Sequence, residues 1–141
     1  EVTDHQLWMP DVHRRGHQPI GALPPSLVEA IDAFVLSTAA RTVRSRDHGV
    51  ASGHNTMLVH VTRYVDVQGV VARRIEDHLA GMRDSWSDYG SSGSELRRRL
   101  QSLVDLGVLR CSRDLADNWS RIFEVLDRPH VPPGLALEMG A

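Results

Sequence analysis

Thr56-Met57-Leu58-Val59-His60-Val61 is the stretch from which the rest of the chain is read. It is short, apolar and bounded by polar residues, the pattern of a β-strand. It leads through Thr62-Arg63-Tyr64 into a segment where Val67, Val70, Val71, Ile75, His78, Leu79 and Met82 fall on one helical face, with Arg73, Glu76 and Asp77 opposite. Thr62 or Asp66 is placed to open that helix. A strand passing directly into an amphipathic helix is the unit of α/β folds.

Upstream, Leu23-Pro24-Pro25-Ser26-Leu27 reads as a helix start. Ser26 can cap, and Glu29 three residues on completes a capping box. Leu27, Ile31, Phe34, Val35, Thr38 and Ala39 recur at helical spacing, predicting a helix to about Arg44. Residues 45–55, with Gly49, Ser52 and Gly53, read as a loop. Residues 1–23 look irregular, apart from an apolar knot at Leu7-Trp8-Met9 that can pack back on the domain.

Downstream, residues 84–94 read as another loop. Ser92 and Glu95 form a second capping box, and Leu96, Leu100, Leu103 and Val104 define a third helix closed by Gly107. Asp114 caps a fourth, with Leu115, Trp119, Ile122, Phe123 and Leu126 inward, ended by Pro129, Pro132 and Pro133. The expected fold is therefore mostly α, about four helices with one short strand near 56–61 open to pairing with a second; an all-α bundle is the alternative. The expected organisation is an irregular segment over 1–22, one domain over 23–128 and a tail over 129–141.

The 141 residues suit one domain, and 41% apolar content suffices for a core. Net charge is −2, whereas a dedicated nucleic-acid module is usually strongly basic. All sixteen basic residues are Arg. Without lysine there is no Schiff-base lysine, no P-loop lysine and no complete restriction-type nuclease site. Cys111 stands alone, so no intrachain disulfide forms, which suits a reducing cytoplasm. No apolar run is long enough to span a membrane. The start, Glu-Val-Thr-Asp-His, has neither a signal-peptide pattern nor an initiator Met, and a piece of a larger protein is expected.

Eight histidines raise the question of a metal. His13 and His17 have the spacing of two ligands on one helical face, but Gly16 and Pro19 argue against a helix there. His48, His54 and His60, six apart, match no ligand pattern, so no metal site is assigned. His60, at the end of the apolar strand, is either a buried ring bonded to main chain or a group lining a ligand crevice at a strand end. Arg63 can reach a phosphate or pair with a surface carboxylate. Arg97-Arg98-Arg99 read as a solvated face; with Arg73, Arg74, Arg41 and Arg44 they are the other candidates for a phosphate path. The carboxylates show no catalytic constellation, and there is no GxxxxGK[ST], GxGxxG or GxSxG motif. No catalytic residue is assigned.

The run from His54 to Gln68, with Leu23-Pro24-Pro25-Ser26-Leu27 before it, resembles the opening part of the Z-one domain, often labelled an endonuclease domain. The likeness spans roughly residues 23–82, and Met57-Leu58-Val59-His60-Val61-Thr62-Arg63-Tyr64 is its specific part. It implies a large bacterial protein with a helicase-like ATPase of superfamily two, associated with restriction and phage defence. The strand would open a second RecA-like lobe, and His60 and Arg63 would meet the nucleic-acid backbone. ATP and Mg²⁺ are implied for the parent protein alone, because the family's later arginine-bearing runs are absent before Ala141.

The expected role is that of a non-catalytic, cytoplasmic connector between lobes. Its nucleic-acid contacts would be His60, Arg63, Arg73 and Arg74, and its partners the remaining ATPase lobes and DNA, with no membrane. An unpaired strand edge also permits a homodimer of the isolated chain. A protein-interaction module and a metal-dependent nuclease are the alternatives.

Overall fold

A computed structural model describes residues 3–87, 91–105, 121, 125 and 126. Three helices carry it: α1 (Pro25–Asp47), α2 (Val65–Ser87) and α3 (Ser91–Asp105). Arg121, Val125 and Leu126 are helical too, but the expected fourth helix otherwise lies outside the described residues, as do Gly107, Cys111 and the tail over 129–141.

Helix α1 starts at Pro25, whose missing N–H costs nothing at a first helical position. Ser26 is thus inside the helix and does not cap it; Pro24 is the N-cap residue, with no side-chain cap bond. The free N–H of Ser26 is met from a distance: Asp4 accepts it at 2.7 Å and the Ser26 hydroxyl at 2.6 Å. At the other end α1 outruns the expected Arg44 by three residues. Gly49, at φ 63°, takes the left-handed position of a Schellman cap. Its N–H reaches Arg46 O at 3.1 Å, and Val50 N–H reaches Ser45 O at 2.9 Å.

Of the loop expected over 84–94, residues 84–87 belong to α2, which runs to Ser87, and residues 91–94 to α3, which begins at Ser91. Ser92 accordingly falls inside α3.

Two apolar clusters share α1. Leu36, Ala39, Ala40 and Val43 meet Leu96, Leu100 and Leu103 of α3, with Val125. The two alanines let the helix backbones approach. On the other side Ile31 meets Val67, Val71 and Ile75 of α2, together with Trp8 and Met9. Helix α3 packs closely on both other helices. The N-terminal segment is therefore a strap that supplies two core side chains, although Leu7 of the same knot is 93% exposed.

No strand is present among the described residues. Residues 56–61 keep the alternation of one: Met57, Val59 and Val61 are half-buried against the strap-side cluster, while Thr56, Leu58 and His60 are exposed. What is missing is a ladder. No backbone hydrogen bond is made by 56–61 among the described residues, and an extended segment without a partner is not a sheet. The loop before it is held to α1, with Asn55 donating to Thr38 Oγ1 at 2.7 Å and Arg41 to His54 O at 3.2 Å.

Candidate functional site

The entry into α2 gathers most of the polar chemistry outside the core. Thr62 is buried, and its hydroxyl oxygen accepts Tyr64 N–H at 3.2 Å, turning the chain into the helix. Gln68 returns to donate to Thr62 O at 2.8 Å. The strap closes over this turn. His13 Nδ1 donates to Pro10 O at 2.8 Å, a bond in which the carbonyl can act only as acceptor. In the neutral ring Nε2 is then free to accept the Thr62 hydroxyl, 2.6 Å away. The His13 ring stands edge-on to Tyr64, with centroids 5.5 Å apart. Gly16 N–H donates to Asp66 at 2.7 Å, holding the strap to the first turn of α2, where a carboxylate also suits the helix dipole.

The four residues singled out from sequence divide three ways. His60 is exposed at the end of the extended segment, so it is not the buried ring bonded to main chain that was one of its two readings. Arg63 is exposed; its guanidinium lies 5.1 Å from the Tyr64 ring centroid and donates to the Tyr64 hydroxyl at 3.0 Å. Arg73 is exposed and has no hydrogen-bond or ion-pair partner among the described residues. It stands about 12 Å along the α2 axis from the helix start, by the 1.5 Å rise per residue. Arg74 is committed to the strap, donating to Pro19 O at 3.2 Å and Gly21 O at 3.1 Å.

The Arg97-Arg98-Arg99 run is not one solvated face. Arg97 lies 4.7 Å from the Trp86 ring centroid and donates to Trp86 O at 3.0 Å. Exposed Arg98 pairs with Glu95 on its own helix. Arg99 grips Asp32 of α1 through both oxygens, at 2.6 and 3.1 Å. Asp32 is 0% exposed and was missed in the sequence reading. Its signal was positional: 32, 36, 39, 40 and 43 form one helical stripe that is otherwise apolar. His78 of α2 lies near this pair, and its Nε2 is buried without a partner. Burial holds His78 below its ordinary pKa, with Arg99 pushing the same way and Asp32 opposing. The Ser26 hydroxyl and N–H hold the Asp4 carboxyl low, and Arg121 does the same for Asp47.

His13 and His17 do come close, with ring centroids 5.5 Å apart. Each, however, holds a backbone carbonyl, His17 donating to Trp8 O at 3.0 Å. Among the described residues no group of three or more His, Cys, Asp or Glu side chains could hold a metal. No helix described is long and apolar enough to cross a membrane.

A family model for the Z1 domain matches residues 26–129, about three quarters of the chain. The chain belongs to the Z1 domain family. No curated protein and no solved structure matches it. The Z1 match extends well past residue 82, where the resemblance in sequence ends, and takes in α2, α3 and all of α1 but its first residue. The strap lies before the matched residues, yet it supplies Trp8 and Met9 to the core beneath α1 and α2 of the Z1 region.

Proposed function

We propose that this Z1 chain is a non-catalytic connector in a larger helicase-like DNA-processing ATPase, touching the nucleic-acid backbone where α2 begins. The observation that carries this reading is the state of Arg63. It is exposed, braced on Tyr64 by ring and hydroxyl, and without an acidic partner among the described residues. Planar, pre-braced guanidinium is well suited to phosphate oxygens. The amino end of α2 adds its partial positive charge nearby. His60 exposes a second donor three residues earlier, and Arg73 is a separate contact farther along α2. Arg74 acts in the fold, because its donors are used on the strap.

The connector role rests on the extended 56–61 segment. Its backbone edge, unpaired among the described residues, and outward Leu58, 68% exposed, suit a strand from a neighbouring lobe of the same protein. ATP and Mg²⁺, which the family resemblance attaches to the whole protein, do not fit this chain. It has no lysine and no phosphate-cradling loop, and the described residues provide no carboxylate cluster. No catalytic step is therefore assigned to it.

The test is a titration of labelled duplex DNA with the chain at low and high salt. Weak binding that fades as salt rises is expected, and Arg63→Ala should flatten the salt slope by about one. Binding that ignores both salt and Arg63 would favour the protein-interaction reading. Chelator-sensitive cleavage of plasmid by the chain would replace the connector with a nuclease.

A further inference from the structure

An ion pair ties α1 to α3, and His78 of α2 lies within the field of both its charges. Asp32 of α1 is fully buried and is held by Arg99 of α3. His78 of α2 feels both charges, and its inaccessible Nε2 has no partner. The charged groups acting on it from the helices packed around it are Asp32 and Arg99. On its own helix, Asp77 is exposed and Arg74 is turned to the strap. The junction thus holds two would-be cations and one carboxylate, and both carboxylate oxygens already serve Arg99.

We propose that His78 is a proton-sensitive latch: taking up a proton sets it in competition with Arg99 for Asp32 and loosens the docking of α3 on α1. A neutral imidazole tolerates this place, because an unpaired ring nitrogen costs far less to bury than a charge. An imidazolium does not, as it carries a proton on each nitrogen and one of them has no acceptor. It must either draw Asp32 from Arg99 or swing out of the junction, and each outcome removes packing from α3. Burial favours the neutral ring, so the folded chain gives up its proton more readily than the unfolded chain. The tie is accordingly intact above the unfolded value near 6.5 and weakens progressively as pH falls below it.

Amide exchange of the whole chain at pH 8 and pH 5.5, corrected for intrinsic rates, reads this latch by helix. The expected result is a selective loss of protection in α3 at pH 5.5, at least several-fold beyond any loss in α1. His78→Leu should abolish that selective loss, and His78→Gln gives the same readout should the leucine variant fold poorly. Equal α3 protection at both pH values, or an acid loss that persists in a folded variant, would overturn the proposal.

Discussion

The two sides of α1 hold their neighbours by different means. Toward α3 the contact is a regular helix pair, with leucines against alanines and one buried carboxylate gripped by arginine. Toward the strap the contact is irregular: a tryptophan and a methionine fill the gap, and scattered hydrogen bonds involving Asp4, His13, Gly16 and Arg74 hold the chain that carries them. The first side lies within the Z1 match, whereas the second depends on residues outside it. The contrast implies that the α1–α3 side should be brittle to single changes of charge, and the strap side should yield in parts.

The largest effect is expected from Arg99→Leu. It leaves the fully buried Asp32 charge without its arginine; removing one partner of a buried pair typically costs about 3–5 kcal/mol, and the low end applies here because the Arg99 side chain is 37% exposed. Adding Asp32→Leu should recover most of that loss, since an apolar replacement of both partners is often neutral or better. Chemical denaturation of the single and double variants checks both outcomes. If the single change were as mild as the double, the pair would not hold the two helices.

Trp8→Ala comes next, at about 3 kcal/mol, the low end for truncating a core aromatic. The strap should loosen with it, seen as faster proteolysis within residues 3–24 while α3 stays protected. Trp8→Phe should be milder, because it also removes a buried indole N–H that has no partner. Equal damage to α3 from Trp8→Ala would erase the distinction between the two sides.

Acid should act on the strap through Asp4. Its carboxyl is held below the ordinary 3.8 by Ser26, so it contributes to docking above that pH and stops contributing as pH falls through its lowered value. Asp4→Asn should blunt this acid step in strap proteolysis, whereas an unchanged step would assign it to other carboxyls. Smallest of all is Leu58→Gln, expected within about 0.5 kcal/mol of wild type, as for an exposed site with no special role. A large loss on melting would mean that the 56–61 edge is already covered in the isolated chain.

The helical side was legible in the sequence because its signals are local. Leu96, Leu100 and Leu103 recur on one face of α3, and Ile31 and Ala39 do so on α1; all five are buried. Val67, Val71 and Ile75 announce the buried face of α2 in the same way. Gly49 read only as part of a loop, yet it forms the cap that lets α1 run past Arg44 to Asp47. Residues 56–61 read as a strand because they form a short apolar run between polar residues, but such a run says nothing of a partner for the backbone, and no strand forms there among the described residues. The tertiary ties were not legible. Asp4 meeting Ser26 and Arg99 meeting Asp32 join residues 22 and 67 positions apart. At the candidate site the sequence singled out Arg63 and His60, both exposed. It gave no warning that Arg74 would be spent on the carbonyls of Pro19 and Gly21, because nothing in residues 1–23 has a period that reveals where the strap lies.

The central proposal is that Arg63 meets the nucleic-acid backbone, and the most direct measurement is duplex DNA binding by the chain carrying Arg63→Ala, titrated against salt. The predicted result is weaker binding, a salt slope flatter by about one and an unchanged melting curve. Unchanged affinity and slope in a folded Arg63→Ala chain would contradict it.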